Sequence, residues 1–505
     1  MSKKIGGVVV FVGICALSVF LLNCGSSAFR PSEDLYVLVQ GGDGLGNNVA
    51  SFGIDLNTGN LTLINSNAIT CPIIPTPTNT NPCGLPVDIL LDPTGNKAWV
   101  LNQGAPACPS CTPASNYPFA PSIFPYTVNS DGNLSAPGAA VNWTCVIPTG
   151  TPCSNVNAYI DTAVAMVRDA AGQFLFVIDA GSSPPPGYPT PSSSSPSCPP
   201  TGTGYTNVTT PTSFAGCPSI SVFAMTPGST ALKFVSQSPL TGYQSPFFLS
   251  KIPTSLSPII FTTPGSTTAQ ELLFVTNNTD ICTQNCVYPS PQNDSTVSVY
   301  AVSPSGILTE QPNSPYTVTA ADPVSVLAVY TRPAQVGSIG GLFVYVGQGA
   351  GGGALYPFQV CTVANAYCTT PQSVADNLLL PLTTCPTLSC QVPPSAAGKN
   401  PVEMLVDPTN NFLYALSEGS NQVFAFTINT TSGELSEAPV PYQPTGTLPV
   451  SMALHPSVFN TGQYLYISNS ASANITGFTL STTNGAMLNP ITVIAPEAPS
   501  GMAVH

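Results

Sequence analysis

Short apolar runs, rich in Val, Ile, Phe and Tyr and separated by Gly, Pro, Asn or Ser, recur along residues 34–505. Such runs are typical of β-strands, and no segment keeps a sustained helical period. They follow a fixed order: a first strand that opens on proline, a second strand that ends near Asn or Asp, and a β-branched third strand. The clearest copies cover residues 401–435 and 449–480. The pattern therefore predicts an all-β repeat protein.

The spacing of the copies predicts the architecture. First strands open at residues 86, 163, 246, 323, 401 and 449. The 48 residues between the last two openings match a four-stranded propeller blade of about 40–50 residues. The longer earlier intervals indicate the same unit with insertions, including one at 254–271 between a first and a second strand.

Two incomplete copies lie at the two ends of the repeat region. Residues 499–505 read as a first strand with nothing after it, and residues 34–39 read as a second strand with nothing before it. Together they complete a seventh blade, and a shared blade removes the exposed sheet edges that a propeller must protect. We therefore predict one domain over residues 34–505. It is a seven-bladed β-propeller of four-stranded antiparallel blades, closed by a blade that the N- and C-terminal segments share.

The N-terminal segment has the layout of an export signal. Lys3 and Lys4 precede an apolar run over residues 5–22, and Cys24 follows it. This order is that of a secretory signal, and the residues before Cys24 resemble a bacterial lipobox. The resemblance implies a signal peptide over 1–23, a lipidated Cys24 that anchors the protein to a membrane, and a linker over 24–33. Gly25 after the cysteine implies the outer membrane, on its periplasmic side or at the cell surface. An uncleaved transmembrane anchor is the alternative.

The charge balance narrows the range of partners. The 505 residues include 9 Lys and Arg against 22 Asp and Glu, which gives a net charge of −13. So few basic residues cannot form a surface that follows phosphates, so no nucleic-acid partner is expected. Charged residues make up 6% of the chain, against about 25% in ordinary globular proteins, and this low content suggests an extracytoplasmic protein.

The cysteines also indicate export. Of 16 cysteines, Cys15 lies in the signal and Cys24 at the lipobox, which leaves 14 that are close neighbours along the chain. An even set of this kind predicts local disulfides. Redox-active or zinc-binding use of the Cys108 and Cys111 pair is the alternative. The predicted disulfides are Cys71 with Cys83, Cys108 with Cys111, Cys145 with Cys153, Cys198 with Cys217, Cys282 with Cys286, Cys361 with Cys368, and Cys385 with Cys390.

Most of the inserted sequence is predicted to lie on one face of the propeller. Loops between strands two and three, and loops that lead into the next blade, emerge on the same face. The insertions rich in Pro, Ser, Thr and Gly fall in these two loop types, at 103–122, 180–219, 278–295, 64–85, 142–160 and 371–399. This insertion-rich face is a candidate surface for a protein or carbohydrate ligand.

Two carboxylates are the candidate catalytic residues. Asp88 and Glu403 are third in their first strands, and by the repeat the third residues form one layer around the axis. They could act as general acid and base or bind a cation, or they could simply contact water and backbone amides. His455 reads as a turn residue at a strand end. Residues 43–48 could bind calcium or form an ordinary turn, and no other cofactor is expected. The rest of the predicted layer is Ala165, Phe248, Ser325, Ser451 and Gly501.

The repeat resembles two related propeller families. Phe274-Val275-Thr276-Asn277 and Tyr466-Ile467-Ser468-Asn469 are similar to the signature of YVTN repeats, and the whole pattern resembles the lactonase (6-phosphogluconolactonase-like) propellers. The resemblance implies the fold and a sugar-lactone hydrolase. The sequence departs from the family where several blades commonly open on Pro-His, because none does so here. We therefore expect a binding or scaffolding protein that uses the insertion-rich face. A lactone hydrolase is the alternative, and a self-associating structural surface protein is the second alternative.

Overall fold

The computed structural model describes the strands of the repeat region and many of their connections. No helix among these residues is long and apolar enough to cross a membrane. The signal segment and most of the predicted insertions lie outside the described residues. The described residues are 33–40, 48–68, 86–103, 121–142, 163–169, 171–180, 219–239, 251–262, 269–279, 295–311, 314–318, 322–331, 341–349, 352–361, 379–382, 392–455 and 463–505.

The described chain forms seven antiparallel sheets, which we call the closing blade and blades 1 to 6. The closing blade contains β1 (Asp34–Gln40), β2 (Asn48–Ile54) and β3 (Leu61–Ala68), together with the last strand of the chain. Blade 1 contains β4 (Pro86–Leu91), β5 (Lys97–Asn102), β6 (Ser122–Thr127) and β7 (Val141–Asn142). Blade 2 contains β8 (Ala163–Arg168), β9 (Phe174–Asp179), β10 (Ser219–Met225) and β11 (Leu232–Pro239).

The outer strand is split in two in blades 3 and 4. Blade 3 contains β12 (Lys251–Thr262), β13 (Ala269–Thr279), β14 (Thr296–Val302), β15 (Leu308–Glu310) and β16 (Tyr316–Thr317). Blade 4 contains β17 (Pro323–Tyr330), β18 (Leu342–Gln348), β19 (Ala354–Val360), β20 (Leu379–Pro381) and β21 (Ser395–Ala396). Blade 5 contains β22 (Pro401–Val406), β23 (Phe412–Ser417), β24 (Gln422–Ile428) and β25 (Leu435–Pro444). Blade 6 contains β26 (Pro449–His455), β27 (Gln463–Asn469), β28 (Asn474–Leu480) and β29 (Met487–Ile494), and the final strand β30 (Ala498–Val504) returns to the closing blade.

The ring closes through the predicted shared blade. β30 pairs antiparallel with β1, and the register places Val504 opposite Leu35 and Pro499 opposite Val39. The first strands β30, β4, β8, β12, β17, β22 and β26 each contact the next one in this order, and β26 contacts β30. The seven-bladed all-β propeller and its closure between the two ends of the repeat region are therefore confirmed.

The structure corrects three of the predicted boundaries. In blade 3 the first strand is β12. The proline equivalent to those that open first strands in other blades is Pro253, and not Pro246 as the sequence predicted. Much of the predicted insertion at 254–271 is therefore strand. The error arose because residues 247–249 are apolar, whereas Ser255 and Ser257 interrupt the true strand with hydroxyl groups. The predicted insertions at 64–85 and 371–399 likewise contain the end of β3 and the short strands β20 and β21.

The hydrophobic core is divided among the junctions between blades. Seven clusters of buried apolar side chains occur among the described residues, and each combines residues of two neighbouring blades. Between blades 5 and 6, for example, Leu416 and Val423 pack with Leu465 and Ile467. Because strand side chains alternate between the two faces of a sheet, each blade contributes one face to each of its two junctions.

One aromatic side chain occupies the same place in every blade. It lies on the second strand opposite the fifth residue of the first strand, and it is fully buried. We call this set the aromatic belt. Large rings at this position fill the space between twisted sheets and bury more apolar area than any other side chain could. The belt consists of Tyr36, Trp99, Phe176, Phe274, Tyr345, Tyr414 and Tyr466.

Five members of the belt also donate a hydrogen bond to the next blade. In each case the acceptor is a backbone carbonyl in the turn between the third and fourth strands. For example, the Tyr414 hydroxyl donates to the Gly485 carbonyl at 3.2 Å and the Tyr345 hydroxyl to the Gly433 carbonyl at 2.8 Å. Tyr466 reaches Gly59 across the closure of the ring. The belt thus fixes both the distance and the rotation of each blade against its neighbour.

We expect the substitution Tyr414→Phe to lower the free energy of unfolding by about 1 kcal/mol, because the buried Gly485 carbonyl loses its donor while the packing of the ring is retained. Urea unfolding monitored by circular dichroism measures this change. Tyr442→Phe is the matched control, because Tyr442 is 52% exposed on the outer strand of the same blade. Equal stability of the two variants would contradict a role of the belt hydrogen bond.

Candidate functional site

Every first strand carries a β-bulge at the same place. In blade 1 the register shifts between Pro86 and Asp88, and in blade 5 it shifts between Pro401 and Glu403. The other five blades have the same shift after the residue equivalent to these prolines, and we count the positions of each first strand from that residue. It is Ala163, Pro253, Pro323, Pro449 or Pro499. A bulge adds one residue and re-aims the side chains next to it. Where the third residue is polar, its side chain can therefore reach the next blade, as it does for Asp88, Ser255, Ser325 and Glu403.

The third residues occupy equivalent positions on first strands that contact one another around the ring, and we call this set the axial layer. In blade 3 the third position was assigned to Phe248, which lies outside the described residues, but the register gives this position to Ser255, two residues after Pro253. Around the ring the layer consists of Asp88, Ala165, Ser255, Ser325, Glu403, Ser451 and Gly501. Two carboxyls, three hydroxyls and no cationic side chain make up this set.

Asp88 and Glu403 each bind the neighbouring blade through its backbone. One oxygen of Asp88 accepts the N–H of Met166 at 2.9 Å, and the other accepts the N–H of Ile89 at 2.8 Å. Oε2 of Glu403 accepts the N–H of Met452 at 2.6 Å. Since the first strand of each blade is a sheet edge, its backbone groups need partners from outside the sheet. Both carboxyls therefore have a structural role at the junction between two blades.

Hydroxyl groups make the complementary contact in other blades. The Thr254 hydroxyl donates to the Pro323 carbonyl at 2.8 Å, and the Ser325 hydroxyl donates to the Pro401 carbonyl at 2.5 Å. Across the ring closure, the Ser500 hydroxyl donates to the Pro86 carbonyl at 3.1 Å. Sequence analysis placed Ser325 in the layer but missed the contacts of these hydroxyls with the next blade, although hydroxyl residues at the second and third positions of first strands were a visible signal.

Burial raises the pKa of both axial carboxyls, although each keeps some exposure to solvent. Desolvation raises the pKa of Asp88 to about 6, against the lowering effect of the amides of Met166 and Ile89. Desolvation raises the pKa of Glu403 to about 8, and the negative charge of Asp88 adds to this rise. The two groups therefore interact electrostatically. At neutral pH these pKa values favour a carboxylate at Asp88 and a carboxylic acid at Glu403, which are a potential base and a potential acid.

His455 is buried and lies apart from the axial layer. It stands at the end of β26, as the sequence predicted, but its ring contacts the carboxylate of Glu33 and packs near Tyr464. Burial lowers its pKa to about 4, and His505 adds to this effect. Because the side chain has no solvent exposure, His455 belongs to the junction of blade 6 with the closing blade and not to a site open to substrate.

The remaining sequence predictions fall largely outside the described residues. Cys24 lies outside the described residues, and so does nearly all of the segment 43–48 that could bind calcium or form a turn. Cys361 is the one cysteine in the described ranges, and it is disulfide-bonded; its predicted partner Cys368 and the other six pairs stay predictions. Within the described ranges, no group of three or more His, Cys, Asp or Glu side chains could hold a metal ion.

The chain matches a known family in sequence and known propellers in fold. The family model described as "Lactonase, 7-bladed beta-propeller" matches residues 381–504, which include Glu403. No curated protein matches the chain. The similar solved structures include a Bacteroides fragilis protein assigned as a 6-phosphogluconolactonase, with 14% identity, a TM-score of 0.54, and coverage of 95% of this chain and 100% of that chain.

A second similar structure is the periplasmic gluconolactonase of Pseudomonas aeruginosa. It has 15% identity and a TM-score of 0.52, and the match covers 94% of this chain and 98% of that chain. A protein of Bacteroides uniformis, also assigned as a 6-phosphogluconolactonase, has 12% identity and a TM-score of 0.52, with coverage of 94% and 100%. At these identities the likeness shows the fold. The chain is therefore a seven-bladed β-propeller that resembles the lactonase family, in sequence over residues 381–504 and in fold around the ring.

Proposed function

We propose that this protein hydrolyses a neutral sugar lactone at the axial layer. The observation that carries the proposal is the pair of axial carboxyls, Asp88 and Glu403, whose pKa values of about 6 and about 8 lie on either side of neutrality. The match of the lactonase family model to residues 381–504 supports it. The names of two similar propellers, a gluconolactonase and a protein assigned as a 6-phosphogluconolactonase, point to the same class of substrate.

The two carboxyls divide the work of ester hydrolysis. Ionised Asp88 accepts a proton from water as the water oxygen forms a bond to the lactone carbonyl carbon. Protonated Glu403 gives its proton to the ring oxygen as the bond between that oxygen and the carbonyl carbon breaks. The product is an open-chain hydroxy acid, and the proton taken up by Asp88 returns to solvent or to Glu403. General acid–base catalysis of this kind contributes about 10²–10⁴-fold to a rate.

The charge of the axial layer favours a neutral substrate over a phosphorylated one. Phosphate recognition relies on Arg or Lys in charge-assisted hydrogen bonds, and the seven residues of the layer include neither. Asp88 in its ionised form would repel a phosphate group. It would also repel the carboxylate of the product, which helps the product to leave the site.

The comparisons support this activity better than the binding or scaffolding role that the sequence suggested first. That role depends on the insertion-rich face, and most of its loops, among them 104–120 and 181–218, lie outside the described residues. The two functions separate experimentally, because a hydrolase depends on Asp88 and Glu403 whereas a binding surface depends on the insertions.

We expect the purified protein to hydrolyse glucono-1,5-lactone and to leave its 6-phosphate form largely untouched. Asp88→Asn and Glu403→Gln should each lose about 100-fold or more in kcat, because each removes one proton-transfer group, and the double variant, which removes both, should lose at least as much. Release of acid followed with a pH indicator measures the rate. Glu437→Gln on an exposed edge of blade 5 and a deletion within 181–218 are the controls that should keep the activity. Turnover that survives in the double variant, or that is absent from the unmodified protein, would refute the proposed function.

The pH dependence of kcat/KM should be bell-shaped, with limbs near pH 6 and pH 8. Activity rises as Asp88 loses its proton, since a base must be ionised, and falls as Glu403 loses its proton, since an acid must be protonated. The two values belong to the coupled pair. Initial rates between pH 4.5 and 9.5 measure the profile. An activity that rises steadily up to pH 9.5 would contradict Glu403 as the acid.

We also propose that the protein is exported and anchored through a lipid on Cys24, as the apolar run over 5–22 and the lipobox-like residues suggest. We expect Cys24→Ser to prevent lipidation, so that the protein is released or remains as the full-length precursor. Membrane fractionation with mass spectrometry of the N-terminus tests this expectation. A variant that stays in the membrane fraction with residues 1–23 attached, like the unmodified protein, would favour the transmembrane anchor.

A further inference from the structure

One hydroxyl of the axial layer keeps its proton available for a ligand. The Ser255 oxygen accepts the N–H of Val326 in the next blade at 3.3 Å, and its own O–H group donates to no acceptor within the described ranges. The other two hydroxyls of the layer have acceptors. Ser325 donates to a backbone carbonyl of the next blade, and the carboxyl of Glu403 is an acceptor for Ser451.

Neighbouring hydrogen bonds fix the position of Ser255. Its backbone carbonyl accepts the Thr276 hydroxyl at 3.3 Å, and Thr254 beside it donates to the Pro323 carbonyl of the next blade at 2.8 Å. A serine oxygen has one O–H donor and two lone pairs. Because the Val326 N–H takes one of these lone pairs, the hydroxyl proton of Ser255 must lie on another side of the oxygen.

Ser255 lies on a different side of the ring from the two axial carboxyls. One blade separates it from Asp88 and one from Glu403, and two blades separate the carboxyls on the far side of the ring. All three side chains are partly exposed, whereas Ser325, between Ser255 and Glu403 in the layer, is buried. A ligand on the axis can therefore meet a base, an acid and a hydroxyl donor from three directions.

Lactone hydrolysis requires a donor of this kind. When the water oxygen bonds to the carbonyl carbon, an electron pair moves to the carbonyl oxygen, which becomes negatively charged. A hydrogen-bond donor placed at this oxygen stabilises the charge. Asp88 and Glu403 act on the water and the ring oxygen, and the axial layer contains no Lys or Arg for the third oxygen.

We propose that Ser255 donates a hydrogen bond to the carbonyl oxygen of the substrate and stabilises the negative charge that forms there. The proton stays on Ser255 throughout. When the bond to the ring oxygen breaks, the electron pair on the charged oxygen restores the carbonyl group, and the ring oxygen takes the proton of Glu403. The effect on rate rests on the proposed lactone hydrolysis, whereas recognition of a carbonyl oxygen requires no turnover.

Ser257 is a matched control outside the axial layer. It lies two residues further along the same strand, and its hydroxyl accepts the N–H of Ala328 at 3.0 Å. Ser257 therefore makes the same kind of contact with the next blade as Ser255 does, but it is buried. Ser255→Ala and Ser257→Ala each remove one hydrogen bond from the same junction, and only Ser255→Ala removes a donor from the layer.

Kinetics of the purified protein on glucono-1,5-lactone measure the effect on rate. Ser255→Ala should lower kcat about 100-fold with a much smaller change in KM, as expected for the loss of one donor to a charged transition state. The limbs of the pH profile should not move, because Ser255 does not contribute to the pKa of Asp88 or Glu403. Ser255→Thr retains the hydroxyl and should keep most of the activity, and Ser257→Ala should keep all of it.

Binding of glucono-1,5-lactam separates recognition from turnover. This compound keeps the carbonyl group of the lactone but has an N–H in place of the ring oxygen, so it resists hydrolysis. Titration calorimetry should show a Kd about tenfold weaker in Ser255→Ala than in Ser257→Ala or the unmodified protein, the effect of one lost hydrogen bond.

Each outcome bears on a different part of the proposal. Unchanged kcat and lactam binding in Ser255→Ala, or equal losses in Ser255→Ala and Ser257→Ala, would overturn the role of Ser255. If lactam binding weakens as expected while the unmodified protein hydrolyses no lactone, the proposed function fails and the carbonyl contact of Ser255 stands. If the unmodified protein neither binds the lactam nor hydrolyses the lactone, both are wrong.

Discussion

The seven blades are separate sheets, so side chains must hold the ring together. Two sets of contacts do this at different distances from the axis. The aromatic belt packs one large ring into each junction, and five of its seven members also bind a turn of the next blade, as Tyr414 binds Gly485. Close to the axis, carboxyl and hydroxyl groups satisfy the free backbone edges of the first strands. The bulge after the opening proline is what turns these polar groups toward the neighbouring blade.

The chemistry of the axial layer follows from this structural need. A free N–H on an innermost strand attracts an acceptor, and in two blades the acceptor is a carboxyl. Enclosure by the ring then raises the pKa of Asp88 and Glu403, because the desolvation penalty exceeds the benefit of the amide contacts. Groups placed to join blades thus acquire the properties of an acid and a base. The same contacts fix their orientation, which catalysis requires.

The sequence predicted features that depend on repetition and missed those that depend on neighbours in space. The seven blades, the pairing of the segment 499–505 with the strand over 34–39, and the equivalent positions of Asp88 and Glu403 all follow from aligning copies of one pattern. Blade 3 was misaligned because the hydroxyls of Ser255 and Ser257 hide its first strand from an apolar pattern. The contact of Glu33 with His455 was not predictable, because it joins residues more than 400 positions apart that belong to no common motif. The belt was visible as an aromatic in each second strand, but its acceptors lie in turns of other blades.

The shared blade also constrains how the protein reaches its native state. β1 belongs to the first part of the propeller to be synthesised, and its partner β30 is the last strand of the propeller. The junction of the closing blade with blade 1 consists almost entirely of residues 36–140. The junction with blade 6 includes residues 453–502 and cannot form until almost the whole propeller is available. The pairing of β1 with β30 has a very high contact order, and closure of so long a loop is slow. Until then β1 presents an unpaired apolar edge that could pair with another chain. A protein of this design therefore depends on remaining unassociated throughout synthesis and any transport, and its folding is completed by a single late event, the docking of β30.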